Sequence, residues 1–190
     1  MKTIAVILLF LPVCIAAQQK KTGKTNFRSI TSAGFVAGQS GVAPVFDLSG
    51  GITYSRYFTG LGFGFDAYQF DAFPVFADWR MGIGRTRLLF LYASPGYVLP
   101  ERHKNEGEPF RTDKMQGGFF MDAGFGYRIP INFMHRLSFS AGYRHKSLSH
   151  EIIYNYSCSG TPCVEIPPNI YVNRYKYGLI TTKLSWELGK

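Results

Sequence analysis

Apolar and polar residues alternate along most of this chain with a period of two. Leu61-Gly62-Phe63-Gly64-Phe65-Asp66-Ala67 puts bulky apolar side chains on one face and Gly and Asp on the other. Val75-Phe76-Ala77-Asp78-Trp79-Arg80-Met81, Phe119 to Ile129 and Leu137 to Arg144 repeat the scheme. This is the signature of β-strands with one apolar face, and helical periodicity is nearly absent. The runs predict eight strands, at about 28–39, 44–58, 60–71, 73–84, 86–99, 115–130, 135–154 and 171–188. Most exceed the five or six residues usual in soluble sheets. They are long enough for the roughly 9–11 residues that a tilted strand needs inside a bilayer.

The connections sort by length. Phe58-Thr59-Gly60, Gly84-Arg85 and Pro130 to His135 are short, whereas Pro100 to Lys114 and Asn155 to Ile170 are long and polar. Both long links follow odd-numbered strands, so they share one rim. Links near Ser40–Ala43 and Phe70–Ala72 on that rim are brief. Tight turns at one end and longer loops at the other are the layout of an outer-membrane barrel. The expected fold is therefore all-β, an eight-stranded antiparallel up-and-down transmembrane barrel, with long loops outside and both chain ends in the periplasm.

The N-terminus fits export. Lys2, an apolar run from Ile4 to Val13 and a small residue at Ala17 read as a signal peptide over residues 1–17. The run is too short to span a bilayer as a helix. Residues 18–27 are expected to be a periplasmic segment, and 28–190 the barrel. Pro12 and Val13 before Cys14 argue against a lipoprotein signal. Cleavage would leave Cys158 and Cys163 around a Gly- and Pro-containing turn, a disulfide pattern for an exported chain.

Composition adds a constraint. The 190 residues are 46% hydrophobic and 16% aromatic but only 17% charged, with a mean hydropathy of -0.03. That is too polar for helices in lipid and poor in charge for a soluble domain. Two opposed faces reconcile the figures. Leu61, Phe63, Phe65, Val75, Trp79, Met81, Leu89, Leu91, Phe119, Met121, Phe125, Leu137 and Phe139 would meet lipid. Asp66, Asp78, Arg80, Asp122, Arg128, Arg144 and Lys146 lie on the other face and would fill a narrow lumen. Buried charges must pair, so Asp66, Asp78 and Asp122 against Arg80, Arg128 and Arg144 are the expected network. Gly60, Gly62, Gly64, Gly118, Gly124 and Gly126 would make room. Tyr54, Tyr57, Tyr68, Tyr97, Tyr127, Tyr143, Tyr175 and Tyr177 sit near strand ends, where aromatic girdles form. In the last strand Tyr177 and Leu179 are out of phase with Leu184, Trp186 and Leu188, which predicts a bulge near 180–182.

Tyr54 to Asp66, Phe73 to Arg80, Gly117 to Tyr127 and Leu137 to Arg144 follow in an order that resembles the small outer-membrane β-barrel domain proteins of the Bacteroidetes type. Pro74-Val75-Phe76-Ala77-Asp78-Trp79-Arg80 is the most specific piece. The resemblance implies fold and an outer-membrane location, and brings no catalytic motif.

Candidate chemistry is sparse. His145 and Ser147 share a strand face, with Glu151 beyond them, a set that a membrane-embedded lipid A or ester hydrolase could use. Lipid A deacylase barrels carry a similar His-x-Ser but follow it with Asn, where this chain has Leu148. Arg102, Lys104, Arg111 and Lys114 could meet lipopolysaccharide phosphates. The net charge of +9 falls to +8 without Lys2, and its spread along an exported chain argues against nucleic acid. No metal-ligand cluster or phosphate loop suggests a cofactor. The expected role is structural or interactive, for a monomer whose partners are outer-membrane lipid, lipopolysaccharide and, during insertion, the barrel-assembly machinery. The alternatives are the hydrolase and a small-solute channel.

Overall fold

The computed structural model describes residues 25–101, 111–132, 134–154 and 169–189. They form one antiparallel sheet of nine strand segments: β1 (Asn26–Gly38), β2 (Gly41–Tyr54), β3 (Tyr57–Asp66), β4 (Ala72–Ile83), β5 (Leu89–Pro100), β6 (Arg111–Gln116), β7 (Gly118–Pro130), β8 (His135–Tyr154) and β9 (Asn169–Gly189). Neighbours in sequence pair in turn, except that β5 pairs with β7 and β6 with β8, and β9 returns to pair with β1, from Arg28↔Gly189 to Ala37↔Ile180. The sheet is thereby a closed barrel of eight walls, because β6 and β7 share one wall against β8. Where β1 and β9 overlap, closure leaves no unpaired edge.

Between β6 and β7 the register on β8 slips by one, from Gln116↔Ser149 to Phe120↔Lys146. Three residues, 117–119, face two, which is a bulge. Gly117 permits it, since a Cβ there would collide with the Val98 carbonyl. The sixth wall therefore starts at Arg111, not at 115 as the alternation alone suggested.

Other boundaries also move. The barrel begins at Asn26, inside the segment expected to precede it. The β2–β3 turn is Ser55-Arg56, with Ser55 at φ 56°, so Phe58, Thr59 and Gly60 belong to the ladder. The β4–β5 turn runs from Gly84, at φ 73°, to Leu88, so β5 starts three residues later than expected. β9 carries no bulge: its register with β8 is unbroken from His135↔Leu188 to Tyr154↔Asn169. Leu179 and Tyr177 instead point inward, because the lumen at that end is apolar.

Both described ends of the chain and the turns at 55–56, 84–88 and 131–134 lie at one rim, here the terminal end. The opposite rim, the loop end, carries the connections at 39–40 and 67–71, and β5, β6, β8 and β9 reach toward residues 102–110 and 155–168 there. β8 and β9 are 20 and 21 residues long, and Asn169 to Leu179 pairs only with β8. This ribbon, flanked by β6, continues roughly 35 Å along the strand beyond the β1 seam, at about 3.3 Å per residue.

The outward face is apolar. Leu61 is 74% exposed, Phe63 58% and Phe125 63%, and Val75, Trp79, Leu91, Phe139 and Trp186 lie exposed around them. Tyr57, Tyr97, Tyr127 and Tyr143 also face outward. Tyr68, Tyr175 and Tyr177, expected in a girdle, instead cap the lumen.

Candidate functional site

The barrel interior is layered. Nearest the terminal end, the Glu187 carboxylate accepts hydrogen bonds from Arg28 Nη1 at 3.2 Å, Arg128 Nε at 3.0 Å and Ser138 Oγ at 3.2 Å. Arg80 Nη1 lies 3.6 Å away and turns its Nε and Nη2 to Asp78, which also accepts from Ser49. Deeper, the Arg144 guanidinium is fully buried among three carboxylates. It donates to Asp47 at 2.7 Å, Asp122 at 2.8 Å and Asp66 at 3.3 Å. Lys183 reaches Asp122 and Asp47, Lys146 reaches Asp66 at 2.7 Å, and the Tyr92 hydroxyl donates to Asp122. Beyond this, Tyr68, Phe76, Phe120, Leu148, Leu179 and Val98 close the loop end with an apolar layer, helped by Phe70, Tyr175 and Tyr177.

Among the described residues, five buried carboxylates face six buried cations. All six network residues expected from the sequence are buried and ion-paired. Asp47, Glu187, Arg28 and Lys183 were not assigned to it. Asp47 between Phe46 and Leu48, and Glu187 between Trp186 and Leu188, carry a usable signal, since a charge between two outward apolar neighbours must face the lumen. The large interior aromatics were also missed. Arg128 sits 4.3 Å over the Phe90 ring, Lys183 4.9 Å over Tyr92 and Arg144 5.2 Å over Phe120, positions that suit cation–π attraction. The glycines serve these rings. A Cβ on Gly62 would lie 2.5 Å from Phe76, and one on Gly126 would strike Phe90.

The lumen is filled at its waist. A void of about 10 Å³ opens beside Asp47, Asp78 and Lys183, no more than one water could occupy. At the terminal end the mouth widens to a cavity of about 540 Å³.

The proposed hydrolase residues do not form a unit. His145 and Ser147 both lie on the outward face of β8. The His145 ring packs on Phe119, with centroids 6.2 Å apart. The Ser147 hydroxyl donates to the Phe119 carbonyl at 3.3 Å, and Glu151 accepts from Gln116 at 3.1 Å. Of the residues proposed to meet lipopolysaccharide, Lys114 is exposed at the loop end. Arg111 opens β6, and Arg102 and Lys104 lie outside the described residues, as do Cys158, Cys163 and the signal segment. Among the described residues no group of three His, Cys, Asp or Glu side chains could hold a metal ion.

No protein-family model and no curated protein matches the chain. Solved structures do. Outer membrane protein AlkL, determined by solid-state NMR in DMPC bilayers, superimposes with a TM-score of 0.51 at 10% identity, covering 91% of this chain and 93% of that one. Neisserial surface protein A gives 0.48 at 11% identity, covering 86% and 96%. OprG from Pseudomonas aeruginosa gives 0.48 at 10%, covering 88% and 97%. At this identity the AlkL likeness shows a shared fold, the closed eight-stranded antiparallel barrel.

Proposed function

We propose that the protein is an integral outer-membrane barrel with a structural or interactive role, presenting its loop-end ribbon outside the cell. One observation carries this reading: a closed ladder with apolar side chains outside and its ion pairs inside. Water would reject that exterior, whereas hydrocarbon requires it and requires the closed ladder as well. The expected polarity puts the terminal end in the periplasm and the loop end outside, where exposed Lys114 would face lipopolysaccharide. The motif Pro74 to Arg80 supports membership of the Bacteroidetes-type small barrels.

The filled waist favours this role over a solute channel. The separate partners of His145, Ser147 and Glu151 favour it over a hydrolase. Fractionation of the native host tests the assignment. The protein should stay with the outer membrane after alkaline extraction and migrate faster on a gel unheated than boiled. Release into the periplasmic fraction would overturn it.

A further inference from the structure

The cavity at the terminal end has an unusual lining. Five arginines surround it: Arg28, Arg56, Arg87, Arg128 and Arg136, with Phe58 on the wall. They come from separate places in the chain. Arg28 opens β1, Arg56 is in the β2–β3 turn and Arg87 in the β4–β5 turn, while Arg128 and Arg136 flank the β7–β8 turn. Among the described residues no acidic side chain lines the cavity. Glu187, beneath Arg28 and Arg128, is already engaged by both and by Arg80. Arg87 Nη1 donates to the Ser55 carbonyl at 2.8 Å, which ties two turns together. Arg56 and Arg136 have no ion-pair partner among the described residues.

Five guanidiniums around one mouth repel each other. Each presents a planar fork that suits phosphate or carboxylate oxygens. The volume of about 540 Å³ falls within the 300–1,000 Å³ of small-molecule sites. We propose that this vestibule binds a small, soluble, multivalent oxyanion carrying two or more phosphate or carboxylate groups. Arg56 and Arg136 act as rim contacts, Arg28 and Arg128 as the floor, and Arg87 as a fixed wall. The cavity is lined by turns and strand ends of the terminal rim, so a dissolved anion would reach it at the barrel mouth, whereas a lipid headgroup would stand at the outer wall. The barrel mouth carries this lining whichever compartment it faces.

The test is calorimetric titration of the refolded protein, in a neutral detergent, with pyrophosphate and with citrate. Saturable binding of either anion is expected, weakening as NaCl rises. Arg56→Gln with Arg136→Gln should weaken it at least about tenfold, the worth of a charge-assisted contact. Lys114→Gln at the opposite rim should leave it unchanged. Circular dichroism and the heat-dependent gel shift of each variant must match the parent, which separates lost binding from lost folding. Failure of both anions to saturate overturns the proposal, as does equal affinity in the double variant. Binding seen only to vesicles of anionic phospholipid also overturns it, since that locates the attraction on the lipid-facing wall.

Discussion

Glu187→Gln offers the most direct test of how the interior is held together. The substitution keeps shape and a hydrogen-bond acceptor but removes the charge that Arg28, Arg128 and Arg80 share at 3.2, 3.0 and 3.6 Å. At an effective dielectric of 20, each pair near 3.3 Å is worth about 5 kcal/mol before desolvation is subtracted. Desolvation returns most of that. Removing one partner of a buried pair nevertheless costs about 3–5 kcal/mol, because the other charge stays buried. The upper half of that range applies here. Three guanidiniums are left with Asp78 alone, which among them reaches only Arg80. The expected loss is therefore about 4 kcal/mol. Unfolding by urea, which is uncharged and does not screen, should be followed in phosphatidylcholine vesicles by the fluorescence of outward-facing Trp79 and Trp186. The midpoint should fall with little change in slope. Adding Arg128→Gln to Glu187→Gln should recover part of the loss, because it removes one orphaned charge. A single-variant loss below about 1 kcal/mol, or a further loss in the double variant, would refute the argument.

Three further outcomes follow from the same geometry. Gly126→Ala pushes a methyl group into the Phe90 ring and should destabilise by about 1–3 kcal/mol in the same urea assay, with Phe90→Leu in the same chain recovering part of it. Phe125→Arg, on the lipid face near the middle of β7, should cost about 2–4 kcal/mol in vesicles, whereas Lys114→Ala at the loop end should stay within about 0.5 kcal/mol. His145→Ala with Ser147→Ala should leave the lipid A mass spectrum of the native host unchanged. A shift in acyl composition there would revive the hydrolase.

Much of the architecture is legible in the chain because a lipid-facing barrel writes its two faces directly into alternate residues. Phe63, Trp79, Phe125 and Phe139 face outward and Asp66, Asp78, Asp122 and Arg144 inward, as their spacing requires. The misplaced inward aromatics and the expected β9 bulge share one cause: the lumen is not uniformly polar. Leu179, Tyr177 and Tyr68 point inward because the loop end is sealed by apolar packing, and a rule that equates apolar with outward answers this with a bulge that β9 does not have. The real bulge, at Gly117, leaves no such mark, since two glycines in a row read equally well as turn or strand. The arginine mouth was hidden for another reason. Arg28, Arg56, Arg87 and Arg136 are scattered over more than a hundred positions and converge only when the hairpins are stacked side by side.

The seam between β1 and β9 has a consequence for biogenesis. Arg28 pairs opposite Gly189, so one of the first wall residues made waits for one of the last. A ribosome releasing the chain from its N-terminus would present seven walls with two raw edges, and no shorter piece contains a finished cylinder. Contacts spanning nearly the whole chain also make closure slow. Until β9 arrives, the edges of β1 and of the last strand made stay unpaired and open to pairing with other chains. A truncation that removes the final turn of sequence would be expected to fail in assembly before it failed in stability.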